Sequence, residues 1–151
     1  MTTFAGVRTY QGSCHCGAVH FEVDVDLSLG TGQCNCSICW KRGNWSVIVK
    51  PAAFRLVSGE ESLRGLRPKP EGTTQQCIVC GLMPFGRGNL PQIGGEYCSV
   101  NLRCLDGVDL SGVPVRYMDG RHDTWALLKT APFKNPFEGA GAPGLKPAWG
   151  P

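Results

Sequence analysis

The stretch Cys34-Asn35-Cys36-Ser37-Ile38-Cys39 constrains the chain more than any other. Three thiols fall within six residues, in the pattern Cys-x-Cys-x-x-Cys. A hydrophobic core gains nothing from that density, since Val or Ile would pack as well without oxidising. A disulfide between such near neighbours is strained. A soft divalent metal accounts for the pattern. Each thiolate can lie about 2.3 Å from a zinc ion, and a short knuckle can aim all three at one point. Three ligands leave one tetrahedral corner open for chemistry, whereas a fourth protein ligand would close the site into a structural staple. The stretch by itself leaves both endings open.

The rest of the composition supports metal over disulfides. The chain of 151 residues carries nine cysteines, an odd number, seven of them in tight clusters. Met1-Thr2-Thr3-Phe4 shows no basic region followed by an apolar stretch, so a reducing, cytoplasmic setting is expected. No apolar run approaches a membrane span. The net charge of +3 is scattered, with no Lys/Arg block, so nucleic-acid binding is not expected. Gly and Pro together make 32 residues, which favours short strands and tight turns over helices. One domain over 1–131 is expected. The segment 132–151, with nine Gly or Pro in twenty residues, reads as an irregular tail.

Along the chain, Val19, Phe21, Val23 and Val25 alternate with His20, Glu22, Asp24 and Asp26, a strand with one wet face. His20 belongs to that wet face, and His15 and His122 read as exposed. Further strands are expected over 7–11, 46–49, 54–57, 73–76, 96–105 and 113–117. Leu27 to Gln33 reads as a turn-rich connection, and Leu66 to Gly72 and the stretch through Gly94-Gly95 as loops. In the strand 96–105, Cys98, Val100, Leu102 and Cys104 share the apolar side, so both of those cysteines read as core.

Two more knuckles bear on metal. Cys14-His15-Cys16 is flanked by glycines, and Cys77-Ile78-Val79-Cys80-Gly81 has the common zinc-knuckle spacing, which is also that of a redox pair. Together Cys14, Cys16, Cys77 and Cys80 supply four sulfurs, enough for a closed structural zinc tying distant parts of the domain together. After Cys39 come Trp40, Lys41, Arg42 and Trp45. The tryptophans read either as packing or as an aromatic wall beside the open corner. Lys41 and Arg42 read either as solvated or as contacts to an anionic ligand.

These pieces, with Val100-Asn101-Leu102-Arg103-Cys104-Leu105-Asp106-Gly107, resemble the glutathione-dependent formaldehyde-activating enzyme family, which includes centromere-protein-V-like zinc proteins. The resemblance covers roughly residues 10 to 120. It implies an all-β fold of several short, coiled antiparallel sheets pinned by zinc, with two zinc ions per chain. One is structural, on Cys14, Cys16, Cys77 and Cys80. The other is at the active site, on Cys34, Cys36 and Cys39. It implies glutathione and a small aldehyde as partners, with Trp40, Lys41 and Arg42 as candidate glutathione contacts, and formation of S-(hydroxymethyl)glutathione, or its reversal as a carbon–sulfur lyase. One departure is Met83, where members often show a His two residues before the equivalent of Phe85.

Two other classes compete. A non-catalytic zinc module for a protein, nucleic acid or glutathione predicts a fourth protein ligand at the Cys34–Cys39 site. A methionine sulfoxide repair enzyme would use Cys98 as nucleophile, on the faint likeness of Glu96-Tyr97-Cys98-Ser99-Val100-Asn101 to that active-site strand.

Overall fold

The alternating stretch forms the expected strand, and the computed structural model, which describes residues 4–137, builds outward from it. Strand β1 (Arg8–Ser13) pairs antiparallel with β2 (His20–Val25), from Arg8 opposite Val25 to Ser13 opposite His20. Phe21, Val23 and Val25 are buried while their neighbours are half-exposed. The Cys14-Cys16 knuckle is the loop of this hairpin, closed by hydrogen bonds from Gly17 N–H to Cys14 C=O and from Cys14 N–H to Val19 C=O.

The chain continues through a short 3-10 turn at Leu27–Leu29 into β3 (Thr31–Cys34), where only a turn-rich connection was expected. Then come α1 (Ser37–Arg42), β4 (Ser46–Val49), β5 (Phe54–Ser58), β6 (Leu63–Lys69), β7 (Gly72–Cys77), β8 (Phe85–Leu90), β9 (Gly95–Asn101), β10 (Pro114–Asp119) and β11 (Ala126–Pro132). Strands β1, β2 and β5 form a three-stranded sheet. The other eight form a sheet in the order β11-β10-β3-β4-β9-β8-β7-β6, antiparallel except where β10 runs parallel to β3. The fold is thus mostly β, as expected, with one short helix among the described residues. No helix among them is long and apolar enough to cross a membrane.

Aromatic pairs run through a mostly aliphatic core. Phe21 stacks on Phe54 at 5.4 Å between centroids, Phe54 meets Phe85 at 4.6 Å, and Trp45 meets Phe133 at 4.6 Å. Such pairs contribute about 0.5–1.5 kcal/mol each beyond the area they bury. Phe133 falls in the segment expected to be an irregular tail. Its backbone bonds to Gly112 and Val113, and its ring packs on the core. Residues 138–151 of that expected tail lie outside the described residues.

Three other expectations are corrected. Leu66 to Gly72 is mostly strand, with Pro68 tolerated because β6 is the edge of its sheet and its pairing shifts register between Leu66 and Lys69. Strand β8 takes in Asn89 and Leu90, the start of the expected loop, together with Phe85–Gly88, for which no element was expected. Its glycines let neighbouring chain come close, and a Cβ at Gly88 would overlap the Glu71 carbonyl oxygen. The strand expected over 96–105 stops at Asn101, whose side-chain oxygen accepts from Arg103 N–H and opens a 3-10 turn. Cys98, Val100, Leu102 and Cys104 are nonetheless all buried, as their shared apolar side required.

Gly59 tests how tightly the first knuckle is held. It is buried at φ +94°, and an added Cβ would overlap the carbonyl oxygen of Ala18. Gly59→Ala combines left-handed strain with overpacking and should cost more than about 2 kcal/mol in denaturant unfolding. An unchanged midpoint would contradict this packing.

Candidate metal centres and the adjoining cleft

Local structure explains how each cysteine group converges. Strand β3 ends at Cys34, Asn35 and Cys36 continue extended, and Cys36 sits at the N-cap of α1. Cys39 follows three residues later, so the first helical turn brings it round to the side of Cys36. Trp40 N–H donates to Cys36 C=O at 2.8 Å, and Gly43, at φ +67°, ends the helix. The three sulfurs lie within 4.8 Å of one another. Among the described residues no fourth His, Cys, Asp or Glu donor joins them.

The second group is assembled from opposite parts of the chain. Cys14 and Cys16 come from the β1–β2 loop, and Cys77 and Cys80 from the end of β7 and the turn after it. The sulfurs of Cys14 and Cys16 are 3.5 Å apart, and those of Cys16 and Cys77 are 3.7 Å apart. A tetrahedron with 2.3 Å zinc–sulfur bonds has edges of about 3.8 Å. All nine cysteines are free thiols, so no disulfide accounts for either cluster. The donor sets therefore fit soft divalent metal ions, zinc among them.

The thiols are unequal. Burial pushes Cys14 up, and loss of water around its sulfur, reinforced by neighbouring thiols, pushes Cys16 up to about 12. Cys80 is lowered to about 7: burial opposes its thiolate, but the backbone N–H groups of Leu82 and Cys16 and the thiols of Cys77 and Cys14 outweigh it. In the three-cysteine group, burial and the neighbouring Cys36 push Cys39 up to about 12. Cys36 itself is lowered. Burial again opposes its thiolate, and hydrogen bonds from the Cys39 backbone, the Cys39 thiol and the Cys34 thiol prevail. Each group thus favours a thiolate that its neighbours serve as donors. A dication would take the place of those protons, so loading releases protons and strengthens as pH rises.

A cleft of about 440 Å³ adjoins the three-cysteine group, a common size for a small-molecule site. Two of its lining residues reach the cysteines. Asn44 Nδ2 donates to Cys39 Sγ at 3.7 Å. The edge of the Trp125 ring and Cys34 Sγ converge beside Gly120, on the point that a Cβ there would occupy. The cleft also carries Arg67, Lys69, Arg87 and Glu71, and Met83 lies in its wall. Arg87 is stacked over Phe54 and Phe85, at 5.6 and 5.5 Å.

The turn that borders Cys34 is organised by Asp119, a buried carboxylate at the end of β10. Asn35 Nδ2 donates to its Oδ1 at 3.1 Å, and His122 Nδ1 lies 2.9 Å from its Oδ2. The Asn35 bond, helped by His122, holds this carboxyl below its usual range against the effect of burial. Asn35 Oδ1 accepts in turn from Arg121 N–H at 2.8 Å. The residue between Cys34 and Cys36 is thereby tied at both ends of its amide to the β10–β11 turn.

Several expected site residues stand elsewhere. Trp40 is 78% exposed, and neither it, Lys41 nor Arg42 is among the residues lining the cleft; Arg42 reaches its edge through a 3.4 Å bond to Thr74 Oγ1. Trp45 is a core residue with one edge on the cleft, its Nε1 donating to Thr31 Oγ1 at 2.7 Å. The cleft aromatic nearest Cys34 is Trp125, which no sequence signal singles out. Cys98 is 1% exposed, with its thiol pushed up by burial, which removes the basis for using it as a nucleophile.

Gly120 offers a test of the centre that spares its ligands. A Cβ there would overlap Cys34 Sγ and sit 3.2 Å from the Trp125 ring. Gly120→Ala should weaken metal binding by the three-cysteine group about tenfold or more while the four-sulfur group is unaffected. Competition titration with a chromogenic chelator measures both, and equal affinities in variant and wild type would contradict the contact.

The profile of the family described as glutathione-dependent formaldehyde-activating enzyme matches residues 9–116. A crystal structure of a Rhodobacter sphaeroides protein, solved as a structural-genomics target, aligns with a TM-score of 0.57 and 29% identity. That alignment covers 66% of this chain and 90% of the other. The match spans more than half of the chain and includes all seven clustered cysteines, and the chain belongs to the glutathione-dependent formaldehyde-activating enzyme family.

Proposed function

We propose that the protein is a zinc-dependent carbon–sulfur lyase or synthase that joins glutathione to formaldehyde as S-(hydroxymethyl)glutathione. The observation that carries this reading is a three-thiol donor set, without a fourth donor among the described residues, beside a cleft of mixed charge. Glutathione presents two carboxylates and one ammonium. The cleft presents Arg67, Lys69 and Arg87 with Glu71, a complementary set. A peptide held by these groups would point its thiol towards Cys34, Cys36 and Cys39 past Asn44 and Trp125.

A zinc ion on those three cysteines would supply a positive charge that favours the thiolate of the incoming peptide at neutral pH. A second zinc on Cys14, Cys16, Cys77 and Cys80 would be structural. In the reaction the S–H bond breaks and the sulfur pair forms the bond to the aldehyde carbon. The carbonyl π pair moves to oxygen, which takes up a proton. The chain's part is to bind the peptide and orient its sulfur, which fits a reaction that needs little acid–base help. Met83, in the cleft wall where relatives often carry His, bears on which adduct is accepted. Reduced thiols of this kind suit a cytoplasmic setting.

Because thiols add to formaldehyde spontaneously, the test is acceleration. Exchange NMR of glutathione with formaldehyde should show faster interconversion with wild type than without protein. Cys36→Ser should abolish the gain, and Arg87→Ala should raise KM about tenfold while sparing kcat more. A wild-type rate equal to the uncatalysed one would overturn the enzymatic reading.

A further inference from the structure

Trp125 stands out as a strained residue in a place where strain has no packing reason. It lies in the turn between β10 and β11, beyond the segment matched by the family profile. Its φ is +55°, and that of Asp123 is +58°, left-handed conformations that a bulky side chain adopts at a cost. The conformation is imposed by Asp119. Its carbonyl accepts from Trp125 N–H at 2.9 Å, and its carboxylate is held by Asn35 and His122. The ring placed this way is 57% exposed, so the core does not need it. Its outer carbons Cζ3 and Cη2 converge with Cys34 Sγ on the point that a Cβ of Gly120 would occupy, and the residue lines the cleft.

We propose that Trp125 is a specificity-determining residue that limits the size of the group carried on the sulfur of the bound glutathione. This rests on the reading of the cleft as a glutathione site. A peptide in the cleft brings its sulfur to the cysteines along the indole, so the carbon attached to that sulfur lies beside the indole edge. The backbone of the turn is held by Asp119, and the bare Gly120 is what lets the indole edge and Cys34 Sγ come together. A one-carbon substituent fits such a wall, and a longer chain meets it.

Non-reactive thioethers of glutathione test this without catalysis. Isothermal titration of the zinc-loaded protein with S-methylglutathione and S-hexylglutathione should show wild type binding the methyl form at least about tenfold tighter. Trp125→Phe should keep the preference. Trp125→Gly should bring the two affinities within about threefold. Glycine takes φ +55° freely, so this variant should melt no lower than wild type. Equal affinities in wild type, an unchanged ratio in Trp125→Gly, or a selective loss of the hexyl form in that variant, the mark of a stacking platform, would each overturn the size limit while leaving the glutathione site standing. Binding of neither thioether to wild type would overturn both.

Discussion

The two sheets meet at four sulfurs. Cys14 and Cys77 are fully buried, one from each sheet, in a small core of their own with Val19, and Leu56 and Leu63 packed around it. That core is too small to hold the two knuckles together by burial. Its two partly buried leucines contribute at most about 3–6 kcal/mol, before the entropy of ordering the loops. A structural zinc contributes about 10–16 kcal/mol in small domains, comparable to the whole stability of an ordinary one. The placing of the β1–β2 loop against the end of β7 then depends on the metal, while the larger core, where Phe54 of one sheet meets Phe85 of the other, packs the sheets together.

The second cysteine group is built on a different plan. It sits on a strand end and a single helical turn, and none of its three cysteines is buried as Cys14 and Cys77 are. Asn44, just past the helix, bonds Cys39, and distant chain adds the rest: the β10–β11 turn clamps Asn35, and Gly120 packs on Cys34. A centre supported from outside its own knuckle while lacking a fourth donor is suited to receive a ligand. The parallel pairing of β10 with β3, which sets Met118 beside Cys34, is what delivers that support.

Much of this was legible in the chain. The cysteine spacings identified both clusters, because a metal leaves its mark as residue type and interval. Strands with one buried face, such as β2 and the second half of β9, showed their period of two. Strands β6 and β8 did not, since Leu63–Lys69 contains a proline and Phe85–Leu90 two glycines, and both serve backbone approach more than side-chain burial. Strand β11 is almost entirely exposed, so its sequence carries no apolar alternation. Helix α1 is too short to have a period. Trp45 and Trp125 could not be told apart from sequence, because their roles depend on Thr31 and Asp119, partners supplied by tertiary pairing.

On this reading the two metal groups divide the labour, one serving the fold and one the ligand. Metal content per chain by elemental analysis, with the thermal melt recorded alongside, tests this on wild type, Cys36→Ser and Cys80→Ser. Wild type should hold one zinc for each of the two groups. Cys36→Ser should lose one and keep its melt, and Cys80→Ser should lose the cooperative melt. A single zinc in wild type that Cys36→Ser does not disturb would contradict it.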